Sequence, residues 1–504
     1  MLAQVHSFVL QGIDPLPCEV EVDVAEVGMI KTTIVGLPDA AVKESVERVR
    51  SAMNNSGYVF PLARLLINLA PADLQKAGPV YDLPIAVGLL LAEQVIQTQA
   101  HKRLVFAGEL ALDGRLRPIN GVINLALLAK KLKLDGVVVP VDNADEAAAV
   151  EGINVYPADS LASVVGFLNG GYEIEPAGDA SDNGALDEAP PIFDFGDIRG
   201  QEAVKRAATI AAAGAHNFMM IGPAGTGKTM VAKAMAGIMP PLSRDEALEV
   251  TRIYSSVGQV PKGQSLLTRR PVRSPHHTAS PVALIGGGSI PRPGEVSLAH
   301  LGVLFLDEMP EFPRTVLETL RQPLEDGNVT IARAHSSIRF PARFMLVAAM
   351  NPTPKGDTPT DEVSHRQMQR YLDKLSGPLI DRIDIHVEVP PVPYKQLTGQ
   401  RNGTDSATMR QQVLDARARQ AKRNGGTLKP NSTLSGRELD THAALDDAGK
   451  ELLKQAMDSL NLSARAYDKV RRVARTIADL EDVDAVTASH VAEAVQYRLL
   501  DRAV

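Results

Sequence analysis

Apolar and polar residues recur with different periods along this chain and divide it into three parts. In the first part, residues 18–25 alternate with a period of two, as in a half-buried strand, and residues 30–35 follow as the expected hairpin partner. Residues 39–54 place apolar side chains on one helical face, and residues 83–96 predict a buried helix. We therefore predict an α+β domain over residues 1–170.

The composition changes over residues 171–191, where the segment EPAGDASDNGALDEAPP is acidic and poor in large apolar side chains. Such a segment buries too little surface to offset its ordering entropy, so we predict a flexible acidic linker. Short buried strands then indicate an α/β domain over residues 192–395, and apolar spacings of three and four indicate a helical domain over residues 396–504. The helices of this last domain are predicted at residues 407–423, 443–459, 463–480 and 487–500.

A glycine-rich turn follows an apolar run in NFMMIGPAGTGKTM, and residues 230–239 predict a helix that ends before Pro240. A strand, the pattern G-x-x-x-x-G-K-T and a helix, in this order, are typical of a phosphate-binding loop. In this interpretation Lys228 reaches the β- and γ-phosphates, and the Thr229 hydroxyl binds Mg²⁺. The predicted nucleotide-binding residues are Gly222, Pro223, Ala224, Gly225, Thr226, Gly227, Lys228 and Thr229.

A second motif, GVLFLDE, places two acidic residues directly after four apolar ones. This pattern indicates a buried parallel strand, and ligands bind at the carboxyl end of such strands. We expect Asp307 to hold Mg²⁺ through water and Glu308 to polarise the attacking water. A structural turn with a lysine at position 228 by chance is the alternative, but the acidic motif at this separation favours bound ATP and Mg²⁺.

Three further polar residues are candidates for the same site. Asn351 ends a third apolar run, where it can sense the γ-phosphate, although an asparagine that starts a turn before proline is the simpler alternative. Arg382 is a candidate arginine finger for a neighbouring subunit, and a surface pair with Asp381 is the alternative. Arg465, in the third predicted helix of the last domain, is a candidate sensor arginine; a charged helix face is its alternative.

A predicted β-hairpin over residues 328–340 carries basic side chains and leads into the strand that ends at Asn351. These side chains are Arg333, His335, Arg339 and, just after the hairpin, Arg343. Upstream lies a stretch rich in proline, glycine and arginine that contains His276 and His277. Two adjacent histidines without acidic neighbours in sequence fit a pore or DNA-contact loop better than a metal site.

The composition restricts the classes of function. A chain of 504 residues suggests two or three domains, and its net charge of −7 argues against bulk electrostatic attraction to nucleic acid. Cys18 is the single cysteine, which excludes an intrachain disulfide and a cysteine-based zinc cluster and fits a reducing cytoplasm. No apolar run is long enough to span a bilayer and no signal peptide is expected, so we predict a cytoplasmic protein without a membrane partner. Because there is no tryptophan, any nucleic-acid contact should be mainly to the backbone.

The segments GELALDGRLRPINGVINLALLAKKLK and KAGPVYDLPIAVGLLLA resemble the proteolytic domain of Lon-type proteases. That family uses a Ser–Lys dyad, with the serine in a G-P-S-type turn. Here Val80 follows Gly78 and Pro79, and no lysine stands at the matching later position. The resemblance therefore implies a Lon-like fold without a nucleophile for peptide hydrolysis.

Several long motifs in the same order resemble the magnesium-chelatase-like AAA+ ATPases of the YifB/ComM group. They are IGPAGTGKTM, RSPHHTASPVALIGGG, PRPGEVSLAHLGVLFLDEMPEF, AAMNP, SGPLIDRIDIHVEVP, LSARAYDKVRRVARTIADL and AEAVQYR. The resemblance implies a multidomain α/β fold with a Lon-like domain, an AAA+ core with a parallel sheet, and a helical lid. It also implies a homohexameric ring with ATP at the subunit interfaces, and it supports the sensor and finger roles of Asn351, Arg382 and Arg465. Unlike many relatives, this chain has no cysteine-rich loop after Asn351, so a metal-stabilised loop is not expected.

The activity implied by the resemblance is that of an ATP-driven helicase that promotes branch migration of DNA during natural transformation. In related helicases a hairpin like the one with Arg333, His335, Arg339 and Arg343 projects into the ring pore and contacts DNA, single-stranded or branched. A magnesium-chelatase-type or protein-remodelling motor remains the alternative, because it would use the same nucleotide-binding residues.

Overall fold

The computed structural model describes residues 1–25, 29–178, 193–288, 290–332, 337–353, 371, 374–394, 403–460, 462–498 and 500. The chain separates into two compact units. The first contains Met1–Asp187 and Ser243–Thr268, and the second contains Glu188–Leu242 and Arg269–Val504. Each unit has its own buried apolar core.

The strands are numbered in chain order. They are β1 (Leu2–Gln11), β2 (Asp14–Ala25), β3 (Lys31–Val35), β4 (Arg64–Ala70), β5 (Leu104–Phe106), β6 (Glu109–Leu110), β7 (Leu116–Arg117), β8 (Gly136–Pro140), β9 (Asn154–Ala158), β10 (Phe218–Ile221), β11 (Val272–Arg273), β12 (Gly286–Gly287), β13 (Arg292–Pro293), β14 (Val303–Leu306), β15 (Asn328–Ala332), β16 (Ser337–Pro341), β17 (Met345–Met350) and β18 (Ile385–Glu388).

The α-helices are numbered in the same way. They are α1 (Ala40–Asn55), α2 (Asp82–Ala92), α3 (Val122–Lys131), α4 (Ala144–Ala148), α5 (Leu161–Leu168), α6 (Glu202–Gly214), α7 (Lys228–Ile238), α8 (Arg244–Ser256), α9 (Pro281–Ile285), α10 (Glu295–Leu298), α11 (Arg314–Glu318), α12 (Arg321–Asp326), α13 (Gly377–Ile380), α14 (Ser406–Arg423), α15 (Gly436–His442), α16 (Asp447–Leu460), α17 (Ala464–Leu480) and α18 (Ala488–Gln496).

The first unit is built on a mixed seven-stranded sheet with the order β3-β4-β2-β1-β5-β8-β9. Strands β1 and β2 form a long antiparallel hairpin, and β4 pairs antiparallel with the other edge of β2. The strands beyond this centre pair in parallel. Helix α2 is buried along its whole length against the hairpin, which explains why its sequence is apolar on every face.

The expected hairpin between residues 18–25 and residues 30–35 was wrong. Strand β2 instead pairs with β1, an N-terminal strand that the sequence analysis did not identify. Strand β3 pairs in parallel with β4. Helix α1, whose first turn is capped by the Asp39 carboxylate, lies between β3 and β4 in the chain and supplies the crossover that a parallel pair needs.

Helix α8 belongs to the first unit, although the sequence assigned residues 192–395 to a single domain. Its Arg252 side chain donates to the Asn124 side chain at 2.9 Å, and the Asn124 amide donates back to the Arg252 carbonyl. The buried Glu146 carboxylate accepts a hydrogen bond from Ser255. Contacts with α3 and α4 therefore join α8 to the first unit.

The second unit contains a five-stranded sheet with the order β11-β14-β17-β10-β18, in which every neighbouring pair is parallel. All residues of β10, β14 and β17 are buried, as expected for a sheet covered on both faces. The fold is thus a multidomain α/β architecture with a mixed N-terminal sheet, a parallel core sheet and a helical C-terminal region. Within the described residues, no helix has the length and apolar character needed to cross a membrane.

The helical C-terminal region packs α14 and α17 against α6 of the same unit. Two predicted helices were longer than the observed ones. The helix predicted at residues 443–459 starts only at Asp447, because residues 443–446 form the break between α15 and α16. In this break the Asp446 carboxylate accepts a hydrogen bond from the Gly449 N–H at 2.7 Å. The last predicted helix, at residues 487–500, ends earlier, at Gln496.

A buried cluster of polar and charged side chains joins this helical region to the core sheet. Lys469 on α17 lies 3.1 Å from the Asp384 carboxylate, which precedes β18. His216 lies 3.5 Å from the same carboxylate and hydrogen-bonds Thr476 at 2.8 Å. Burial raises the pKa of Asp384, but Lys469 and His216 outweigh burial and hold the pKa well below its usual range.

We expect Asp384→Asn to lower the free energy of unfolding by about 3–5 kcal/mol, because the substitution leaves the Lys469 ammonium buried without its counter-charge. Urea unfolding checks this, with the exposed Asp458→Asn as the control. Adding Lys469→Met should recover part of the loss. Since the folded-state pKa of Asp384 is depressed, its contribution is present above about pH 4 and is lost as the pH falls below that value. The gap between wild type and variant should therefore narrow in acid, and a constant gap would contradict this assignment.

Candidate functional site

The loop after β10 exposes backbone rather than side chains. Gly225 and Gly227 have φ angles of 79° and 91°, and residues other than glycine rarely adopt this backbone conformation. An ideal Cβ built at either glycine would meet no atom within 4 Å, so this backbone is open. Helix α7 begins at Lys228, directly after the loop, and its first N–H groups lie at the loop. The loop therefore fits an anion such as a phosphate.

Lys228 is held inside this loop. Its side chain is 7% exposed, and the ammonium donates to the carbonyl oxygens of Gly222 at 2.7 Å and Pro223 at 2.8 Å. It also donates to the Asn351 side-chain oxygen at 3.1 Å. Burial lowers the pKa of Lys228, and the nearby carboxylates of Asp307 and Glu308 act in the opposite direction. The structure thus brings the predicted lysine and the predicted sensor asparagine together.

The acidic pair after β14 reaches the same loop from the neighbouring strand. The Thr229 hydroxyl donates to the Asp307 carboxylate at 2.8 Å. A hydroxyl and a carboxylate are hard oxygen ligands of the kind Mg²⁺ uses beside phosphates, so these two residues fit the predicted metal role. The described residues contain no cluster of three metal-ligating side chains, and a Mg²⁺ ion that shares phosphate oxygens needs none.

Glu308 stands in a left-handed backbone conformation with φ of 49°, and its side chain is half exposed. Its carboxylate lies 3.9 Å from the His277 ring, which packs edge-on against Phe312. From the sequence, His277 was predicted to lie in a pore or DNA-contact loop, and its proximity to Glu308 was not predicted. No local pattern could have revealed it, because the two residues are brought together by the pairing of β11 with β14.

Arg382 does not pair with Asp381, so the simple surface-pair alternative was wrong. One guanidinium nitrogen donates to the Pro378 carbonyl at 2.6 Å, and the other forms an ion pair with Glu325 on α12. The side chain is 14% exposed. Asp381 instead lies 4.0 Å from Arg465.

Arg465 lies in the first turn of α17 and is 64% exposed. Besides Asp381, the Glu325 carboxylate lies within its electrostatic reach, because Arg465 helps to lower the pKa of Glu325 after the larger effect of Arg382. The two arginines therefore share one acidic neighbourhood. The described contacts place them with Glu325 and Asp381 rather than with Lys228 and Thr229.

The predicted basic hairpin is present as β15 and β16, with Asn328 opposite Pro341 at its base and Ala332 opposite Ser337 at its described end. Arg339 is exposed opposite Thr330, whereas the alternate positions face the core. Arg343 follows the hairpin and is also exposed. The other two predicted contacts, Arg333 and His335, lie outside the described residues.

Three family models match most of the chain. The model described as magnesium chelatase, subunit ChlI, matches residues 194–397, the subunit ChlI model matches residues 20–143, and the ChlI C-terminal model matches residues 403–498. The chain is 45% identical over 506 residues to competence protein ComM of Haemophilus influenzae. The aligned region covers 99% of this chain and 98% of that protein. The chain is 44% identical over 505 residues to YifB of Escherichia coli, with the same coverage. The magnesium-chelatase 38 kDa subunit of Rhodobacter capsulatus is 28% identical over 218 residues, 40% of this chain and 56% of that protein.

We expect Lys228→Ala to weaken binding of a fluorescent ATP analogue by at least about 100-fold, because a charge-assisted hydrogen bond inside a buried loop is lost. The matched control is Lys233→Ala, on the same helix but exposed to solvent. Equal binding by the two variants would show that the loop does not hold the phosphates.

Proposed function

The chain belongs to the YifB/ComM family of magnesium-chelatase-like ATPases, and from this premise we propose that it is an ATP-hydrolysing AAA+ motor that acts on DNA. The specific activity we propose is that of a branch-migration helicase in natural transformation and recombination, working as a homohexamer. One observation carries the ATPase part of the proposal. Lys228 contacts Asn351, and Thr229 contacts Asp307, so the ends of three strands meet at one phosphate-sized loop.

In the proposed reaction, the backbone N–H groups between Gly222 and Thr229 hold the phosphates of ATP, and Lys228 exchanges its carbonyl partners for phosphate oxygens. Mg²⁺ held by Thr229 and Asp307 would neutralise charge on those oxygens. Glu308 accepts a proton from the attacking water, and Asn351 orients that water or the γ-phosphate. The products are ADP and inorganic phosphate.

In this proposal Arg382 completes the site of a neighbouring subunit, and Arg465 is the sensor arginine that couples the helical lid to the bound phosphates. Their side chains belong to a patch that also contains Asp381 and Glu325, and this patch is separate from the contacts of the subunit's own Lys228. A guanidinium can stabilise charge that develops on a γ-phosphate, and such arginines contribute about 10³–10⁵ in rate. An arginine that acts on a neighbouring subunit's nucleotide requires an oligomer, and a ring meets this requirement.

The DNA contacts in this proposal come from the hairpin. The exposed Arg339 and Arg343 lie on or beside the two-stranded ladder, and Arg333 and His335 belong to the same stretch of sequence. Since the chain carries a net charge of −7, DNA binding must depend on such a local basic group rather than on the overall charge.

A chelatase-type or protein-remodelling motor would use the same nucleotide site as a DNA motor. The two functions are distinguished by whether DNA stimulates the ATPase activity. For the proposed function, steady-state ATPase activity should rise several-fold when branched DNA is added. An ATPase rate that does not change when DNA is added would refute the proposed action on DNA.

Glu308→Gln should retain ATP binding but slow hydrolysis by several orders of magnitude, because the proton acceptor is lost. Glu311→Gln, three residues further along the chain, is the control. Normal turnover by Glu308→Gln would refute the role of Glu308 as the proton acceptor.

The hairpin assignment is tested by the salt dependence of DNA binding. Each phosphate contact contributes about −0.9 to the slope of log affinity against log salt concentration. Arg333→Ala combined with Arg339→Ala should weaken DNA binding and make this slope less steep by about 1.8, whereas the exposed Arg115→Ala in the first unit should leave it unchanged. An unaltered slope in the double variant would place the DNA contacts elsewhere.

A further inference from the structure

The patch around Arg382 contains a carboxylate that the proposed reaction does not use. Glu325 forms an ion pair with Arg382, yet it stands 57 residues earlier in the chain. The carboxylate is 61% exposed, whereas the guanidinium is only 14% exposed. An arginine that must reach a neighbour's phosphate is therefore held back against its own subunit.

Both terminal nitrogens of Arg382 are engaged in this arrangement. One donates to the Pro378 carbonyl at 2.6 Å and the other to Glu325. To contact an external phosphate, the guanidinium must give up at least the carboxylate. Glu325 thus competes with the neighbouring subunit's nucleotide for the same arginine.

The position of Glu325 connects this competition to the hairpin. Glu325 is the next-to-last residue of α12, which ends at Asp326 and is followed by Gly327 with φ of 65°. Strand β15 starts at the following residue, and the Ala342 N–H donates to the Gly327 carbonyl at 2.9 Å, which closes the base of the hairpin. Glu325 therefore lies two residues before the hydrogen-bonded base of the hairpin.

We propose that Glu325 is a positioning residue that holds Arg382 away from the neighbouring subunit's ATP until DNA binds the hairpin. The proposal rests on the function proposed above. DNA binding moves the end of α12, the carboxylate releases Arg382, and the guanidinium turns to the phosphate oxygens across the interface. Glu325 itself touches no reacting atom.

The strength of the contact suits a reversible brake. An ion pair with one exposed partner changes an equilibrium by up to about fivefold. A triphosphate carries more negative charge than one carboxylate, and an arginine finger contributes far more than fivefold to the rate. Glu325 can therefore slow ATP turnover in the absence of DNA. It does not prevent turnover when DNA is bound and the neighbouring triphosphate competes for Arg382.

The test compares ATPase rates with and without branched DNA in wild type, Glu325→Gln and Asp326→Asn. The last is the matched control, since it removes one negative charge from the adjacent exposed residue. Glu325→Gln should raise the DNA-free rate about fivefold and leave the DNA-stimulated rate within about twofold, so that the stimulation ratio falls about fivefold. Asp326→Asn should behave as wild type.

The double variant Glu325→Gln with Arg382→Ala shows whether the effect passes through the arginine. Its rate should equal that of Arg382→Ala alone. A rise in rate in the absence of Arg382 would overturn the proposal, as would an unchanged stimulation ratio in Glu325→Gln. Equal losses of both rates together with a lower melting temperature would assign Glu325 a structural role instead.

Two outcomes separate this inference from the proposed function. If wild type is stimulated by DNA and Arg382→Ala is inactive, but Glu325→Gln matches Asp326→Asn, only the positioning role fails. If Arg382→Ala retains full activity, the arginine-finger assignment fails, and the role of Glu325 fails with it.

Discussion

The place of strand β10 in the parallel sheet, between β17 and β18, is the constraint on which the second unit depends. Its pairing with β17 sets Ile221 opposite Met350, so the residue after each strand, Gly222 and Asn351, emerges at the same edge. The neighbouring pair of β17 and β14 brings Asp307 to that edge as well. Parallel strands end together, and the contacts of Lys228 and Thr229 are consequences of this geometry. A register shift of one residue in any pair would move these groups by more than 3 Å.

The other end of β10 carries a different set of contacts. Asn217, just before the strand, accepts a hydrogen bond from the Leu346 N–H at 2.9 Å and donates to the Arg382 carbonyl at 2.8 Å. Its own N–H donates to the Asp384 carboxylate, the partner of Lys469 on α17. One buried strand of four residues therefore joins the phosphate loop to the segment with Arg382 and to the helical region. Because a buried ion pair is costly to break, these parts are expected to move as one body.

The sequence was sufficient wherever the chemistry is local. The strand, the glycine turn and the helix at residues 217–239 form one continuous stretch, and several helices and strands elsewhere were predicted within a few residues of their observed ends. It was insufficient for partners that are distant in the chain. The parallel partner of β3, the place of α8 in the first unit, and the contacts of His277 and Glu325 all depend on tertiary pairing. A periodic pattern states that a face is buried but does not state against what, so the ion pair of Arg382 with Glu325 was not predictable.

The acidic surroundings of Arg382 and Arg465 are consistent with the charge of the whole chain and with the nature of the proposed ligands. Arginine clusters bind any polyphosphate, and this attraction carries little specificity. In a chain with 60 acidic and 53 basic residues, carboxylates are available to neutralise such clusters at short range. Glu325 and Asp381 occupy that role beside Arg382 and Arg465, and a competing anion must supply more charge, or better geometry, than one carboxylate. A triphosphate on the facing subunit meets both conditions, whereas an isolated phosphate group on a DNA backbone meets neither. In the proposed function, the acidic partners would therefore favour nucleotide at these two arginines and leave DNA binding to Arg339 and Arg343.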